Sequence, residues 1–154
     1  MVDNCSTDGT AEYLMSLTDS RVKFLRNEYD LGKGGSIKRA INESTGKYVV
    51  IHDPDLEYAA EDIWSLYDVA VRDRLDMALG SRLLGGNPSY KYLLNYWGVI
   101  FLTWFINFLY GSRITDSATA MKLINGELAR KTKWVSDGFD LDFELIVRTI
   151  RLGG

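Results

Sequence analysis

An acidic segment that follows an apolar run is the part of the sequence best suited to chemistry. Asp53, Asp55 and Glu57 alternate along the chain directly after Tyr48–His52, a β-rich run. In an extended segment, side chains two positions apart point the same way, so these three carboxylates can converge. Mg²⁺ or Mn²⁺ accepts such oxygen ligands and removes the repulsion between them. The pattern predicts a cation site, with a solvated acidic turn as the alternative.

Two other segments have the composition of nucleotide-binding loops. Asp3 begins a polar turn, and its carboxylate can accept hydrogen bonds from a base or a ribose. Asp8, in the same turn, is equally suited to cap the following helix. Lys33 and Gly34 lie in a glycine-rich loop that can approach a phosphate closely. This loop lacks the spacing of a Walker motif, so a plain flexible turn is the alternative.

The last predicted helix carries two acids in its first turn, Asp142 and Glu144. Carboxylates at this position are favoured by the helix dipole. Glu144 is also four residues before Arg148, a spacing typical of an ordinary surface ion pair. The functional alternative is that either acid faces a reaction centre as a base or a positioning group.

Residues 92–112 form an uncharged segment with an unusual distribution of aromatic side chains. On a helical wheel, weakly polar residues lie on one side and aromatic residues on the other. The two sets are Asn95, Gly98, Thr103 and Asn107, and opposite them Trp97, Phe101, Trp104 and Phe108. This pattern favours a helix at a membrane surface or one packed on the protein over a helix surrounded by lipid. Burial in the core is the alternative to membrane contact.

The elements that must position these residues alternate between strand and helix. Strands are predicted near Val2 and at Val22–Leu25, Tyr48–His52 and Met77–Gly80, with helical patterns between them. Repeated β–α units of this length predict an α/β fold of three layers, helices covering both faces of a largely parallel sheet. Ligands of such sheets bind beyond the carboxyl ends of the strands. We therefore expect Asp3, Asp53 and Arg82 to gather at one edge.

Size and composition narrow the possible functions. The chain has 154 residues, enough for a single domain, and a net charge of -3, which gives no general attraction to nucleic acid. The lone cysteine, Cys5, excludes an intramolecular disulfide and favours a reducing, cytoplasmic compartment. The chain starts abruptly at a strand end and stops at a helix end. We expect a single, partial domain that belongs to a longer protein.

Six segments in order along the chain resemble motifs of family 2 glycosyltransferases, which have the Rossmann-like GT-A fold. The similarity is to the polyprenyl-phosphate branch, which includes dolichyl-phosphate mannose synthase and glucosyltransferase. The matching segments are Val2–Thr10 (V-D-D-x-S-x-D-G-T), Asn27–Ile37 (N-x-G-K-G-x-A-I), Tyr48–Glu57 (D-A-D-L-[QE]), Gly80–Arg82 (G-S-R), Ile114–Lys122 (I-T-D-x-x-x-x-x-K) and Gly138–Glu144 (G-F-x-x-D-x-E).

The resemblance implies an inverting, metal-dependent transfer of a sugar from a UDP- or GDP-sugar to a polyprenyl or dolichyl phosphate. The reaction would take place at the cytoplasmic face of a membrane, with peripheral membrane contact through the aromatic helix. Implied metal ligands are Asp53, Asp55 and Glu57, for Mg²⁺ or Mn²⁺. Implied donor-binding residues are Asp3, Asp8, Lys33, Gly34, Asp53 and Arg82. Implied acceptor-phosphate residues are Lys91 and Lys122, and implied catalytic residues are Asp142, Glu144 and Asp116.

The sequence departs from the family pattern in places, and two rival functions remain open. Asn4 replaces an aspartate, Pro54 stiffens the acidic segment, and the family's first strand has no counterpart, so we expect low stability or low activity without it. The first rival is phosphoryl transfer of the haloacid-dehalogenase type at Asp53 and Asp55, against which Glu57 argues. The second is a nucleotide-sugar binding module without catalysis.

Overall fold

The structure is a computed structural model that describes residues 1–53, 59–84 and 93–153. The strands are β1 Val2–Asp3, β2 Leu25–Arg26, β3 Tyr48–Ile51, β4 Met77–Leu79 and β5 Lys122–Asn125. The helices are α1 Thr10–Ser16, α2 Gly32–Glu43, α3 Asp62–Asp73, α4 Leu93–Tyr110, α5 Gly126–Lys131 and α6 Leu141–Arg151. Among the predicted residues, Asp55, Glu57 and Lys91 lie outside the described part of the chain.

The strands form two sheets. β1 pairs with β2 in parallel, whereas β3 and β4 both pair with β5, which lies between them and is antiparallel to each. β3 and β4 therefore point in the same direction, as the β–α pattern predicts, but they are not neighbours. The sequence prediction of a largely parallel sheet missed β5. Its run of Lys122–Asn125 has no alternation of polar and apolar residues, since it is covered on both faces.

Helices cover both faces of the sheet that contains β5, which confirms the α/β fold class. On one face, Ile124 packs with side chains from α2, α5 and α6, among them Ile41, Ala129 and Leu145. On the other face, Leu123 packs with Ala70 of α3 and Ala78 of β4. Successive residues of a strand point to opposite faces, so Leu123 and Ile124 of one short strand contribute to both cores.

The two sheets do not pair with one another. A cavity of about 360 Å³ separates them, and it is lined by Met1 and Val2 on one side and by Val49–Asp53 on the other. Its floor is α2, through Ile37 and Ile41. Within the described residues β1 pairs only with β2, and β3 only with β5, so one edge of each is without a strand partner. Packing on α2 therefore joins the two sheets.

Helix α4 turns its polar side toward the protein and its aromatic side outward. Thr103 is buried and exchanges hydrogen bonds with Ser117, and Asn107 is bonded to Ser112 and Ile114. The aromatic residues are exposed: 64% for Trp97, 61% for Phe101, 57% for Trp104 and 71% for Phe108. Thr103 and Asn107 of the predicted polar side thus face the protein, Gly98 is exposed, and the four aromatic residues are not core residues. None of the described helices is long and apolar enough to cross a membrane.

The beginning of α2 lies against the loop that precedes α6, and glycine makes this contact possible. A Cβ on Gly34 would come within 2.7 Å of the Asp137 carbonyl carbon and of the Ser136 carbonyl oxygen, both backbone atoms. Gly35 donates its N–H to the Asp137 carbonyl oxygen at 3.2 Å. The structure thus shows close packing at Gly34, a use of the glycine that differs from the expected approach to a phosphate.

We predict that Gly34→Ala destabilises the chain by about 1–3 kcal/mol, because the added methyl group must push two backbone segments apart. Gly98→Ala is the matched control, since a Cβ there meets nothing within 4 Å and alanine favours the helix. Urea unfolding of both variants measures the difference. Equal stability of Gly34→Ala and wild type would show that the contact is not tight in solution.

Candidate functional site

Four charged side chains from four elements meet at the carboxyl end of β3. The Lys33 ammonium lies 2.7 Å from Asp53 Oδ2 and 3.1 Å from Asp142 Oδ2. The other oxygen of Asp142, Oδ1, lies 2.7 Å from the Lys122 ammonium. Lys122 also donates to the Thr119 carbonyl oxygen. The cluster joins α2, the end of β3, the start of β5 and the first turn of α6, and Asp142 is its central member.

The two lysines of this cluster differ in their proton affinity. Burial alone would lower the pKa of Lys33, but its hydrogen bonds to Asp53 and Asp142 and their charges raise the pKa above the usual 10.5. Burial dominates at Lys122, which is fully enclosed, and lowers its pKa despite the opposing charge of Asp142. Both of the ammonium hydrogen bonds of Lys122 go to atoms of the protein. The structure therefore places the Lys122 ammonium beside Asp142 and away from solvent.

Arg82 and Asp116 form a second, adjoining pair. Arg82 Nε and Nη2 donate to the two oxygens of Asp116 at 2.9 and 3.1 Å, in a two-pronged arrangement, and Nη2 also donates to the Ala118 carbonyl oxygen at 2.9 Å. Asp116 is fully buried. The loop from Asp116 to Thr119 thus receives bonds from Arg82 at one end and from Lys122 at the other. Both residues of this pair were predicted as site residues, one for the donor and one for catalysis.

The turn after β1 contains one orphaned carboxylate oxygen. Asp3 is 3% exposed; its Oδ1 accepts from the Ser6 N–H at 3.2 Å, while Oδ2 has no hydrogen-bond partner among the described residues. Arg26 Nε lies 3.5 Å away. A cavity of about 430 Å³, lined in part by Ser6 and Asn27, lies beside this turn. An acceptor that makes no hydrogen bond and has one ion-pair partner, Arg26, fits the predicted contact with a nucleotide.

Asp8 has a local role in the structure. Its Oδ1 accepts from the Thr10 N–H at 3.1 Å and from the Thr10 hydroxyl at 2.7 Å, at the start of α1. These bonds lower the pKa of Asp8, as expected of a carboxylate that stabilises a helix start. The capping alternative describes this geometry, and Asp8 is exposed rather than directed into the cluster around Asp142.

Sequence reasoning missed some residues that complete the site. Asn27 is buried and donates to Asn4 Oδ1 at 2.8 Å and to the Ser36 hydroxyl at 2.9 Å, which ties the turn after β1 to α2. The exposed ring of Phe139 lies 5.4 Å from the Lys33 ammonium. Both residues fall within the family-like motifs, and membership of these motifs was the one signal in the sequence that could have identified them. The residues that they contact are distant in sequence, so spacing could not predict the contacts.

The family profile of glycosyl transferase family 2 matches residues 1–132, which include most of the elements above. The chain belongs to glycosyl transferase family 2. The predicted family is confirmed, and with it the GT-A class of fold. Asp53, Lys33, Arg82, Asp116 and Lys122 all lie within the matched region, whereas Asp142 and Glu144 follow it.

This family 2 chain is similar in sequence to three curated glycosyltransferases. It is 31% identical over 90 residues to the UDP-Glc:alpha-D-GlcNAc-diphosphoundecaprenol beta-1,3-glucosyltransferase WfgD of Escherichia coli, covering 58% of this chain and 30% of that protein. It is 28% identical over 118 residues (75% and 29%) to the low-salt glycan biosynthesis hexosyltransferase Agl6 of Haloferax volcanii. It is 28% identical over 145 residues (85% and 43%) to the dolichyl-phosphate beta-glucosyltransferase of Dictyostelium discoideum. The chain therefore spans less than half the length of these family members.

Of the three predicted metal ligands of this family 2 chain, the structure describes Asp53. Asp55 and Glu57 lie outside the described residues, and among the described residues no group of three or more potential ligands is found. Asp53 and Asp142 nevertheless share one ammonium group, so two carboxylates already face a common positive charge. Oxygen donors around a shared charge are the chemistry that Mg²⁺ and Mn²⁺ prefer. Among the described residues, Asp53 and Asp142 are thus two carboxylates that could contribute oxygen ligands to such a cation.

Glu144 holds a loop in place. Its carboxylate accepts from the Val135 N–H at 2.9 Å and the Ser136 N–H at 2.8 Å, and it pairs with Arg148 at 2.5 Å. Burial raises the pKa of Glu144, but these N–H groups and the Arg148 charge outweigh it and lower the pKa below the usual 4.5. The Glu144–Arg148 ion pair expected from the i, i+4 spacing is present, and Glu144 in addition supports the loop that packs on Gly34.

We predict that Glu144→Gln lowers the free energy of unfolding at pH 7 by about 1–2 kcal/mol, since a charge-assisted acceptor is replaced by a neutral one. Because the folded-state pKa is lowered, the carboxylate's contribution is present above pH 4.5 and is lost as the pH falls through the folded-state value. The difference between the variants should therefore shrink in acid. Urea unfolding at pH 7 and pH 4 measures it. A difference independent of pH would contradict this role.

Proposed function

We propose that this chain provides the donor-binding and catalytic part of a family 2 hexosyltransferase that transfers a sugar from a nucleoside-diphosphate sugar to a polyprenyl- or dolichyl-type phosphate. The observation that carries the proposal is the meeting of Asp53 and Asp142 on the Lys33 ammonium at the end of β3. The carboxyl ends of strands are where α/β folds bind ligands, so this charged cluster lies where a diphosphate donor is expected.

A divalent cation is part of the proposal. Asp53, with Asp55 and Glu57, would hold Mg²⁺ or Mn²⁺, which offsets the negative charge on a departing nucleoside diphosphate. Lys33 already contacts Asp53 and lies on the first turn of α2, where a phosphate group is also favoured by the helix N-terminus. When the donor binds, its diphosphate offers the Lys33 ammonium an alternative anionic partner.

The proposed reaction forms one bond at the anomeric carbon and breaks one. An oxygen of the acceptor phosphate bonds to this carbon from the side opposite the leaving group, while the bond to the diphosphate oxygen breaks and the nucleoside diphosphate leaves with the electron pair. A phosphate monoester has its second pKa near about 6, so it is largely ionised at neutral pH and needs little deprotonation. Asp142, held between two ammonium groups, is then suited to positioning rather than to removing a proton.

The lipid nature of the acceptor is supported by two independent features. The relatives from Escherichia coli and Dictyostelium discoideum carry diphosphoundecaprenol and dolichyl phosphate in their names. In this chain, α4 presents Trp97, Phe101, Trp104 and Phe108 outward. Aromatic side chains of this kind concentrate at membrane–water interfaces. We infer that α4 lies on a membrane, at the cytoplasmic face, while its polar side keeps contact with the loop at Ser117.

The rival functions differ from this proposal in their products. Membership of family 2 argues against phosphoryl transfer, for which Asp53 would have to become phosphorylated. In the structure Asp53 is instead ion-paired with Lys33, which suits a charge-balancing role. A binding module without catalysis would retain donor affinity and produce no transfer.

We predict that the chain binds UDP or GDP in the presence of Mn²⁺ and that Asp53→Asn weakens this binding at least tenfold, because a ligand of the cation is lost. Calorimetric titration with each nucleotide, with and without Mn²⁺, measures the effect. Asp73→Asn is the matched control, since within the described residues Asp73 forms an ion pair with its neighbour Arg72 alone, on the surface. Sugar transfer from the preferred donor to a radiolabelled polyprenyl phosphate in detergent then separates an enzyme from a binding module.

Metal-independent nucleotide binding would contradict the assignment of Asp53 to a cation. Trapping of an aspartyl-phosphate at Asp53 would establish the phosphoryl-transfer alternative instead.

We predict that replacing Trp104 and Phe108 of α4 by serine weakens binding to lipid vesicles by at least tenfold. Each buried aromatic side chain contributes about 1.5–3 kcal/mol when it leaves water. Co-sedimentation with vesicles that contain phosphatidylglycerol measures the binding. Trp64→Ser on α3 is the control, because Trp64 is 69% exposed but lies on a different helix. An equal loss of binding for Trp64→Ser would show that exposed aromatic residues bind the vesicles non-specifically, whichever helix they lie on.

A further inference from the structure

A second cavity, of about 600 Å³, lies beside β4, at the edge of its sheet, and is apolar for most of its surface. Its walls come from α3, β4, the second half of α6 and the loop that follows α4. Val69 of α3, Leu75 just after α3 and Leu84 after β4 are part of this lining, and all three are more than a third exposed. A volume of this size is in the range of small-molecule sites. Apolar walls with exposed apolar residues indicate a ligand that is itself largely hydrocarbon.

Two polar groups in the lining lack partners within the described residues. Thr149 of α6 is 2% exposed, and its hydroxyl has no hydrogen-bond partner there. A buried hydroxyl without a partner costs free energy unless a ligand or water completes its bonding. Arg113 is the single charged residue of the lining, and no described residue forms an ion pair with it. Within the described residues the cavity therefore combines an apolar body with one buried hydroxyl that lacks a partner, on Thr149, and one cation outside any ion pair, Arg113.

The position of the cavity connects the two regions that the proposed function requires. The Ser112–Thr115 loop forms one wall and is held by Asn107 on the inward side of α4. The same loop continues directly into Asp116, the partner of Arg82. Leu79, at the end of β4, also lines the cavity. A ligand in this cavity would extend between the aromatic helix and the edge at which the donor is expected.

We propose that this cavity receives the first part of the hydrocarbon chain of the lipid-phosphate acceptor, with the phosphate at Arg113. The proposal rests on the proposed function, because it assigns a place to that acceptor. An amphiphile with one anionic head and one apolar chain matches the lining: the guanidinium binds the phosphate, the Thr149 hydroxyl donates to a head-group oxygen, and the aliphatic side chains contact the chain. A free phosphate would leave the apolar walls without a partner.

The test uses farnesyl phosphate below its aggregation concentration, with farnesol and inorganic phosphate as partial probes, and calorimetry on the full chain. Farnesyl phosphate should bind at least tenfold more tightly than either partial probe. Val69→Phe, which fills the cavity, should weaken binding at least tenfold. Val71→Phe is the matched control on the same helix: its exposure is 40% against 37% for Val69, and it does not line the cavity. Arg113→Gln should remove the preference for farnesyl phosphate over farnesol, whereas Arg151→Gln should retain it.

Equal binding by wild type and Val69→Phe would overturn the proposal, as would an equal loss in Val71→Phe. Loss of farnesyl phosphate binding in the Trp104 and Phe108 variant, with Val69→Phe unaffected, would place the chain on α4 and also overturn it. None of these outcomes bears on sugar transfer itself. If transfer occurs and Val69→Phe leaves the acceptor KM unchanged, the proposed function stands and the cavity assignment falls.

Discussion

The carboxylate of Asp142 holds together the part of the molecule on which its chemistry depends. It bridges Lys33 of α2 and Lys122 of β5, and through Lys33 it reaches Asp53 at the end of β3. These residues come from distant parts of the chain, so their convergence requires the core beneath them to be complete. Burying an ion pair is costly unless the charges are well matched. Here two carboxylates and two ammonium groups balance one another, and the cluster is neutral as a whole.

The neutrality of this cluster has a consequence for ligand binding. Addition of a divalent cation and a diphosphate adds charges of opposite sign to a site that is already balanced. On the proposed function, the internal pairs would then exchange partners: Asp53 would contact the cation and Lys33 the phosphate. Such an exchange requires little net change in charge, and it needs only the movement of a flexible lysine side chain. The Lys122–Asp142 pair of this cluster and the adjoining Arg82–Asp116 pair can stay in place during such an exchange.

Much of this arrangement could be predicted from the sequence, and the exceptions have physical reasons. The strand at Tyr48–Ile51 and the helix at Asp62–Asp73 follow from their apolar patterns, and Asp53 at the strand end follows from the first. β5 was missed because a fully covered strand of four residues shows no periodicity. Lys122 was predicted to meet a phosphate, since nothing in its neighbourhood in sequence reveals Asp142, twenty residues on, as its partner. The ion pair of Glu144 could be predicted, in contrast, because its partner Arg148 lies four residues later on the same helix.

Because the two sheets are separate, the free energy of local unfolding should differ between them. β1 and β2 are joined by a short parallel ladder and are attached to the rest through α2 and the Asn27 network. Opening this unit breaks few apolar contacts, whereas opening the sheet around β5 exposes both cores. Backbone amides of the first unit should thus exchange with solvent hydrogen far sooner than those of β5. The turn at Asp3 would then adjust its distance from Asp53 with little cost, and a nucleotide in contact with both would slow that exchange.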